Sequence, residues 1–233
     1  MLALQASIGA LNDVADAGVD SGRKPGKPIP RGAVGPTTAA VVALAGLGVG
    51  LALSAVSGPA TAVVAGAGVG CGYLYDLRLS RTPWSWLPLA IALPLVPLHA
   101  WLGATGVAPP ALVALVPVAV LAGAGLALGN GIVDAERDRA ARLRTAVVAI
   151  GSRRAWLLHG AALAGAIGGA IVLGPRTLDG WRVVAEAVAS AAIALGIGLV
   201  GTSRPSLRER GWELEAVGVA LLGVTWLAGV AAA

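Results

Sequence analysis

The chain has 233 residues, of which 57% are hydrophobic and 12% charged, and its mean hydropathy is +0.81. Soluble domains carry about 25% charged residues, so the composition excludes an ordinary soluble domain and indicates a membrane protein with several spans. The net charge of +5 reflects membrane topology, as shown below, and predicts no nucleic-acid partner.

Continuous apolar runs recur along the chain and predict its transmembrane helices. The runs that could cross a bilayer are residues 39–57, 59–74, 84–102, 109–129, 155–173, 183–201 and 214–232. All but the second approach or exceed the roughly 17 to 20 residues that a span needs, and residues 2–11 form part of an eighth. Because the runs are continuous rather than alternating, they favour helices over the strands of a closed barrel. The predicted fold class is all-α, a polytopic transmembrane bundle of about eight helices.

Several residues inside the runs are neither apolar nor good helix formers. Pro94 and Pro97 predict a kinked and partly unwound helix in the run 84–102. His99 and His159 each stand alone among apolar residues, and we interpret both as packed or lipid-border histidines rather than metal ligands. The single Cys71 has no partner for an internal disulfide and is interpreted as a packing residue.

The basic residues predict the orientation of the protein. Of the 17 Lys and Arg residues, 15 lie in connections on one side of the membrane, and only Arg176 and Arg182 lie on the other. Cytoplasmic connections carry the excess of Lys and Arg in membrane proteins. We therefore predict a multi-pass protein of the cell (inner) membrane with residues 103–107 and 175–181 outside. The polar motifs described next fall on the cytoplasmic side.

Two polar motifs with the same spacing close two of the apolar runs. They are Asn12, Asp16 and Asp20, with Asp13 beside them, and Asn130, Asp134 and Asp138. At helical spacing, residues i, i+4 and i+8 lie within about 80° of one another, so each triplet forms a polar stripe on one helix face. Two such stripes facing each other would make a divalent-metal site.

The alternative for the second motif is a solvated helix rich in charges, in which Asp134 and Asp138 pair with Arg142 and Arg137. Two observations favour the metal site. A solvated face has no reason to repeat the Asn, Asp, Asp spacing, and carboxylates at a helix C-terminus are disfavoured by several tenths of a kcal/mol each unless something cationic offsets them. Hard oxygen ligands select Mg²⁺, with Mn²⁺ possible in the same site.

Basic and phenolic side chains in the cytoplasmic connections are candidate phosphate contacts. They are Arg23, Lys24 and Lys27 in the Pro-rich segment 21–36, Tyr75 and Arg81 in the second connection, and Arg144 after the second motif. Guanidinium and ammonium groups bind phosphate oxygens through charge-assisted hydrogen bonds. For the second connection, the alternative is a solvated turn that obeys the positive-inside rule.

The first motif resembles one found in the UbiA superfamily of intramembrane prenyltransferases. The family pattern NDxxDxxxD is matched in full by Asn12, Asp13, Asp16 and Asp20, and residues 27–32 (KPIPRG) are similar to its R-P-[IL]-x-x-G continuation. Tyr75 and Arg81 look like the tyrosine and basic turn of the family, with Ser80 where a lysine is common.

The second motif resembles the family pattern NDxxDxxxDxxxGxRT. It is matched by Asn130, Asp134, Asp138, Arg144 and Thr145. The sequence departs from this pattern at two positions: Gly131 replaces the leading aspartate, and we assign Leu143 to the position of a common glycine. The resemblance extends over nearly the whole chain.

The resemblance implies nine helices around a lateral cavity, and Mg²⁺ ions that bridge the acidic motifs to the diphosphate of an isoprenoid donor. Relative to that pattern, we expect a single membrane domain over residues 1–233 that is N-terminally short and lacks the usual first helix. The implied metal ligands are Asp13, Asp16 and Asp20 for one ion and Asp134 and Asp138 for the other, and Asp13, Asp16, Asp134 and Asp138 are the implied catalytic residues. The implied substrate contacts are Asn12, Arg23, Lys24, Lys27, Tyr75, Arg81, Asn130 and Arg144.

The implied function is Mg²⁺-dependent transfer of a prenyl group from a prenyl diphosphate to an aromatic or other small lipid-soluble acceptor. Two alternatives from other classes remain: a degenerate relative that acts as a non-catalytic membrane partner, and a lipid-binding or carrier protein. A carrier would need charged residues near the membrane midplane. Acceptor identity, prenyl chain length and oligomeric state are not specified by the sequence.

Overall fold

The structure is a computed structural model that describes residues 1–20, 26–175 and 179–232, with only the backbone of Val19 and Asp20. Three predicted site residues are affected. Arg23 and Lys24 lie outside the described residues, and so does the side chain of Asp20, although the backbone of Asp20 ends the first helix.

Nine α-helices and one π-helical turn form the described part of the chain. They are α1 (Leu2–Asp20), α2 (Pro36–Val56), α3 (Pro59–Leu74), the π-turn (Tyr75–Leu79), α4 (Leu87–Thr105), α5 (Ala111–Ala140), α6 (Ala146–Ile150), α7 (Ser152–Leu173), α8 (Gly180–Val200) and α9 (Pro205–Ala231). Most of every predicted apolar run lies in a helix, which confirms the all-α class. The five-residue α6 was not predicted, because so short a helix leaves no periodic signal.

Six helices are long and apolar enough to cross a membrane: α2, α4, α5, α7, α8 and α9. The protein is therefore a multi-pass membrane protein. α3 has 16 residues, about 24 Å at 1.5 Å per residue, which is shorter than the roughly 30 Å hydrocarbon layer. α1 ends in the first acidic motif, so its apolar part is shorter still.

α4 is helical from Leu87 to Thr105 although Pro94 and Pro97 lie inside it. The prediction of partial unwinding is therefore wrong. Each proline removes only one backbone N–H and fits helical φ, so a membrane helix continues through it when its neighbours compensate.

The chain divides into two compact units. The first comprises Met1–Ser80 and Leu98–Ala108, and the second comprises Arg81–Pro97 and Pro109–Ala233. The first acidic motif belongs to the first unit and the second motif to the second unit.

In the first unit, α1 packs against α2 and α3 through small residues and a buried hydroxyl. A Cβ on Gly46 of α2 would lie 2.7 Å from the carbonyl oxygen of Ala3, so only glycine permits this approach. Ser7 is fully buried, donates to the Ala43 carbonyl at 2.6 Å and lies 2.7 Å from the Tyr73 hydroxyl. These bonds fix α1 against both neighbouring helices.

In the second unit, α5 packs against α7 and α9, and α8 packs along α9. An apolar cluster lies behind the second motif and includes Leu128, Ile132 and Val147. On α7, His159 is fully buried, as interpreted, but it is not alone. Its Nε2 lies 3.0 Å from Oε1 of the equally buried Glu215 on α9, a partner that the sequence analysis missed because 56 residues separate the two.

Candidate functional site

The first motif gathers three oxygen-bearing side chains around one cationic group. Asn12, Asp13 and Asp16 lie on the last turns of α1. The ammonium nitrogen of Lys27 lies 3.0 Å from Asn12 Oδ1, 3.3 Å from Asp13 Oδ1 and 3.8 Å from Asp16 Oδ2. All three acceptors therefore bind a single positive charge.

The backbone after Lys27 forms a series of tight turns. Arg31 donates its N–H to the Lys27 carbonyl at 3.0 Å, and Ala33 donates to the Pro28 carbonyl at 2.9 Å. Pro28 and Pro30 restrict φ within these turns. Residues 26–34 therefore form a series of turns rather than a helix.

A fourth polar residue, Asp76, joins this cluster from the π-turn. Asn12 Nδ2 donates to Asp76 Oδ1 at 2.9 Å and lies 3.4 Å from Asp16 Oδ2. The Asn12 amide therefore has its nitrogen toward two carboxylates and its oxygen toward Lys27.

The packing of α1 on α3 explains why Asp76 reaches Asn12. Leu4 of α1 packs with Ala65 and Val69 of α3, and one turn later a Cβ on Gly72 would meet Ile8. Asn12 follows Ile8 by four residues and Asp76 follows Gly72 by four, so the next contact along the two parallel helices joins this polar pair.

Asp76 is only 6% exposed, and its Oδ2 is buried without a hydrogen-bond partner among the described residues. Burial is the main cause that raises the pKa of Asp76 to about 6. The hydrogen bond from Asn12 lowers this pKa, the negative charge of Asp16 raises it, and the positive charge of Lys27 lowers it. Sequence analysis missed this residue because Asp76 stands in a charged connection and belongs to neither motif. Asp76 follows Val69 and Gly72 at helical spacing, and this spacing could have identified Asp76 as a residue on the same helix face.

The residues of the first cluster fit a divalent cation in donor chemistry. Their donors are hard oxygens, which Mg²⁺ and Mn²⁺ prefer. The Lys27 ammonium is a cation already held by Asn12 Oδ1, Asp13 Oδ1 and Asp16 Oδ2. Among the described side chains, no group of three or more His, Cys, Asp and Glu residues is arranged to hold a metal.

In the second motif, the two carboxylates have separate partners. Asp134 pairs with Arg137 at 3.1 Å one turn further along α5. Asp138 Oδ2 accepts a hydrogen bond from Thr145 Oγ1 at 2.9 Å. The Asp134 pair is the kind of i, i+3 contact expected of a charge-laced helix, so the structure contains one element of the alternative interpretation of this motif.

Two departures of the second motif from the family pattern have structural explanations. A Cβ on Gly131 would lie 2.7 Å from Val147 Cγ2, and Val147 is buried, so the packing of α6 disfavours an aspartate there. The assignment of the common glycine to Leu143 is wrong. The left-handed backbone is at Arg142, with φ of 58°, and this is the conformation that glycine adopts without strain.

The remaining predicted contacts are distributed over both units. Tyr75 is half-buried in the π-turn of the first unit, whereas Asn130 is half-buried on α5 of the second. Arg81 and Arg144 are exposed and belong to the second unit. The structure thus brings Asn12, Asp13, Asp16 and Lys27 together.

A buried polar pair lies one turn before the second motif. His159 Nδ1 bonds the Gly125 carbonyl of α5 at 2.8 Å, and since a carbonyl only accepts, Nδ1 carries the proton. A Cβ on Gly129 would lie 3.2 Å from Glu215 Oε2. Trp212 Nε1 donates to the next carbonyl of α5, that of Leu126, at 3.0 Å. These bonds hold α5 to α7 and α9 immediately before Asn130.

The helices define a multi-pass membrane protein. At the end of α1 it has a cluster of carboxylate and amide oxygens that binds a cationic group. The chain belongs to the UbiA prenyltransferase family, whose model matches residues 1–213. Prenyl transfer is the class of activity that this membership supports. No curated protein matches the chain.

Solved structures of UbiA homologues share the fold. An apo homologue from Aeropyrum pernix K1 has a TM-score of 0.76 and 18% identity, over 98% of this chain and 86% of that one. A homologue from Archaeoglobus fulgidus bound to GPP and Mg²⁺ has a TM-score of 0.66 and 17% identity, over 96% and 83%. A structure concerned with digeranylgeranylglyceryl phosphate synthase has a TM-score of 0.68 and 16% identity, over 97% and 81%. At these identities the likeness establishes the fold alone.

Proposed function

We propose that the protein transfers a prenyl group from a prenyl diphosphate to a small or lipid-soluble acceptor in a Mg²⁺-dependent reaction that releases diphosphate. The observation that carries the proposal is the placement of the Lys27 ammonium among Asn12 Oδ1, Asp13 Oδ1 and Asp16 Oδ2. Three oxygens already bind one cation at the end of α1. The solved relative with GPP and Mg²⁺ supports the same pairing of donor and metal for this chain.

Each motif has a proposed role. Asp13, Asp16 and Asp20 would hold one divalent cation and Asp134 and Asp138 the other, and Asn12 and Asn130 would complete coordination or bind phosphate. Asp134 would exchange Arg137 for the metal, a small loss because exposed ion pairs are worth about 0–1 kcal/mol. Diphosphate contacts are assigned to Arg23, Lys24, Lys27, Tyr75, Arg81 and Arg144.

In the proposed reaction, the bond between C1 of the prenyl chain and the diphosphate oxygen breaks, and its electron pair leaves with diphosphate. An electron pair of the acceptor then forms the new bond to C1, and the acceptor loses one proton to water. When bound, the divalent cations supply positive charge that stabilises the departing diphosphate. Lys27 leaves the acidic cluster and donates N–H bonds to diphosphate oxygens.

We further propose that both motifs face the cytoplasm, on the basis of the 15-to-2 distribution of basic residues. A single cysteine at Ser206, in a chain with Cys71→Ser, should resist an impermeant thiol reagent on intact cells. A cysteine at Val107, which is 69% exposed, should react, and so should one at Thr177, which lies outside the described residues. The opposite labelling pattern would refute this orientation.

The function is tested with purified protein or membranes, labelled prenyl diphosphates of several chain lengths and a panel of acceptors, with and without Mg²⁺. We expect diphosphate release and a prenylated product only with Mg²⁺, and restoration of activity by Mg²⁺ after chelation. The matched control for motif variants is Asp179→Asn, because Asp179 is exposed before α8 and loses the same charge outside both motifs.

If the unmodified protein releases no diphosphate with any donor in Mg²⁺, the proposal is wrong and a non-catalytic or carrier role gains support. If product forms equally well in chelator, the transfer stands but the metal assignment fails.

A further inference from the structure

A carboxylate outside both motifs, that of Asp76, lies against the first cluster, and its role is not explained by the fold. It is 6% exposed, Oδ1 accepts the 2.9 Å bond from Asn12, and Oδ2 has no hydrogen-bond partner among the residues that the structure describes. A buried carboxylate oxygen without a partner is costly. An apolar residue would continue the buried stripe of α3 more favourably, so this carboxylate is expected to have a function.

The geometry of the Asn12 amide indicates what that function is. An amide presents an oxygen on one side and an NH₂ group on the other, and only the oxygen binds a cation. Here Nδ2 is directed to Asp76 Oδ1 at 2.9 Å, and Oδ1 is directed to the Lys27 ammonium at 3.0 Å. The longer 3.4 Å contact from Nδ2 to Asp16 is a weaker constraint.

We propose that Asp76 is a positioning residue for the cation site of the first motif: it accepts the N–H of Asn12 and thereby directs the Asn12 oxygen toward the bound cation. The proposal rests on the proposed function, since it assigns a divalent cation to the position that Lys27 marks. Carboxylates in a second layer around metal ligands commonly act in this way.

Lys27 marks the cation position but does not depend on Asp76 for contact. Lys27 is bonded to Asn12, Asp13 and Asp16, and Asp76 reaches the ammonium group only through the Asn12 amide and through its long-range charge. The effect of losing the hydrogen-bond acceptor at position 76 can therefore be measured separately from the effect of losing its charge.

The test measures Mn²⁺ binding to the full chain purified in detergent, by electron paramagnetic resonance, with saturating inorganic diphosphate. Asp76→Leu removes both acceptor and charge while filling the space, and Asp76→Asn removes the charge but keeps an acceptor oxygen. We expect Asp76→Leu to weaken Mn²⁺ binding by about 10- to 100-fold, the range found for ligand-orienting residues, and Asp76→Asn to weaken it clearly less.

A double-mutant cycle with Asn12→Ala tests whether Asp76 acts through Asn12. In the Asn12→Ala background, Asp76→Leu should lose only the smaller amount of Mn²⁺ affinity that Asp76→Asn loses in the unmodified chain, because the amide that Asp76 orients is gone and only the charge remains to be lost. Asp179→Asn provides the charge control and should bind Mn²⁺ like the unmodified chain. Melting temperatures in the same detergent, without metal, identify any variant whose loss comes from misfolding, and the Asn variant then decides the question.

The inference is overturned if Asp76→Leu and Asp76→Asn lose affinity equally, if Asp76→Leu keeps full affinity, or if its loss persists undiminished in the Asn12→Ala background. Failure of the proposed function gives a different result. In that case the unmodified chain binds no Mn²⁺ with diphosphate, or it binds Mn²⁺ and transfers no prenyl group to any acceptor.

Discussion

The two acidic motifs share the spacing of their Asn and Asp residues but differ in how their side chains are held. In the first, Lys27 bridges Asn12, Asp13 and Asp16, and Asp76 holds the amide. In the second, among the described residues, Asp134 pairs with Arg137 and Asp138 accepts a hydrogen bond from Thr145. The comparison teaches that equal spacing on two helices fixes which side chains share a face, whereas the neighbouring segments decide whether those side chains act together.

The two helices that carry the motifs are also held to their neighbours by different kinds of residue. The end of α1 is held by hydroxyls, with Ser7 bonded to Ala43 and close to Tyr73. The start of the second motif on α5 is held by the buried His159 and Glu215 pair. Ionisable residues buried among membrane helices are expensive, so the second unit contains the more sensitive structural element.

The largest effect is expected from removing one carboxylate of either motif. Asp16→Asn and Asp134→Asn should each reduce prenyl transfer by at least about 100-fold, the scale of losing one preorganised contact to a developing anion, while the protein stays folded. Initial rates at saturating donor, with Asp179→Asn as control, provide the measurement. Near-full transfer by both variants would contradict the assignment of both motifs, and full transfer by one alone would restrict the site to the other motif.

The next largest effect is on stability and should occur in the second unit. His159→Leu leaves buried Glu215 without a partner, which costs about 3–5 kcal/mol for a buried pair. His99→Leu is the matched substitution in the first unit, where Ser54 is the one hydrogen-bond partner of His99 among the described residues, at 3.1 Å. About 1 kcal/mol is expected for one hydrogen bond. Unfolding midpoints in detergent compare the two. Equal losses of stability in the two variants would show that the buried His159 and Glu215 pair contributes no more than a single hydrogen bond.

A smaller stability effect is expected when the second motif is made more like the first. Gly131→Asp introduces a side chain against Val147 Cγ2 and should destabilise the protein by about 1–3 kcal/mol through overpacking. Adding Val147→Ala should recover part of that loss by making room. Thermal unfolding of the single and double variants measures both terms; a stable Gly131→Asp variant would argue against the packing explanation.

The smallest effects distinguish the cationic partners of the two motifs. Lys27→Ala should raise the KM for donor about tenfold, the value of a charge-assisted hydrogen bond, yet strengthen binding of Mn²⁺ alone because the competing ammonium group is gone. Arg137→Ala should change KM little, since the Arg137 side chain is 53% exposed and exposed pairs contribute about 0–1 kcal/mol. If Lys27→Ala weakens Mn²⁺ binding without diphosphate, Lys27 does not occupy the cation position.

Much of the fold and part of the candidate site follow from the sequence. Apolar runs predict helices directly, because the bilayer requires every backbone group to bond within its own segment. The spacing of Asn12, Asp13 and Asp16 predicts one polar face for the same local reason, and Lys27 follows closely enough in the chain to reach it. The apolar run ends at residue 129, and α5 continues to Ala140, as the helical spacing of Asn130, Asp134 and Asp138 predicts.

The sequence by itself determined the membrane helices, the motifs and the charge asymmetry, since all of these depend on residues that are near one another in the chain. Only the tertiary structure decided the partners of Asn12 and His159. Asp76 lies 64 residues after Asn12, and Glu215 lies 56 residues after His159. Such pairs depend on the register between packed helices, which is set by close contacts such as Gly46 on Ala3 and Gly72 on Ile8. One-dimensional periodicity shows which face a residue occupies, but it does not show which face lies opposite.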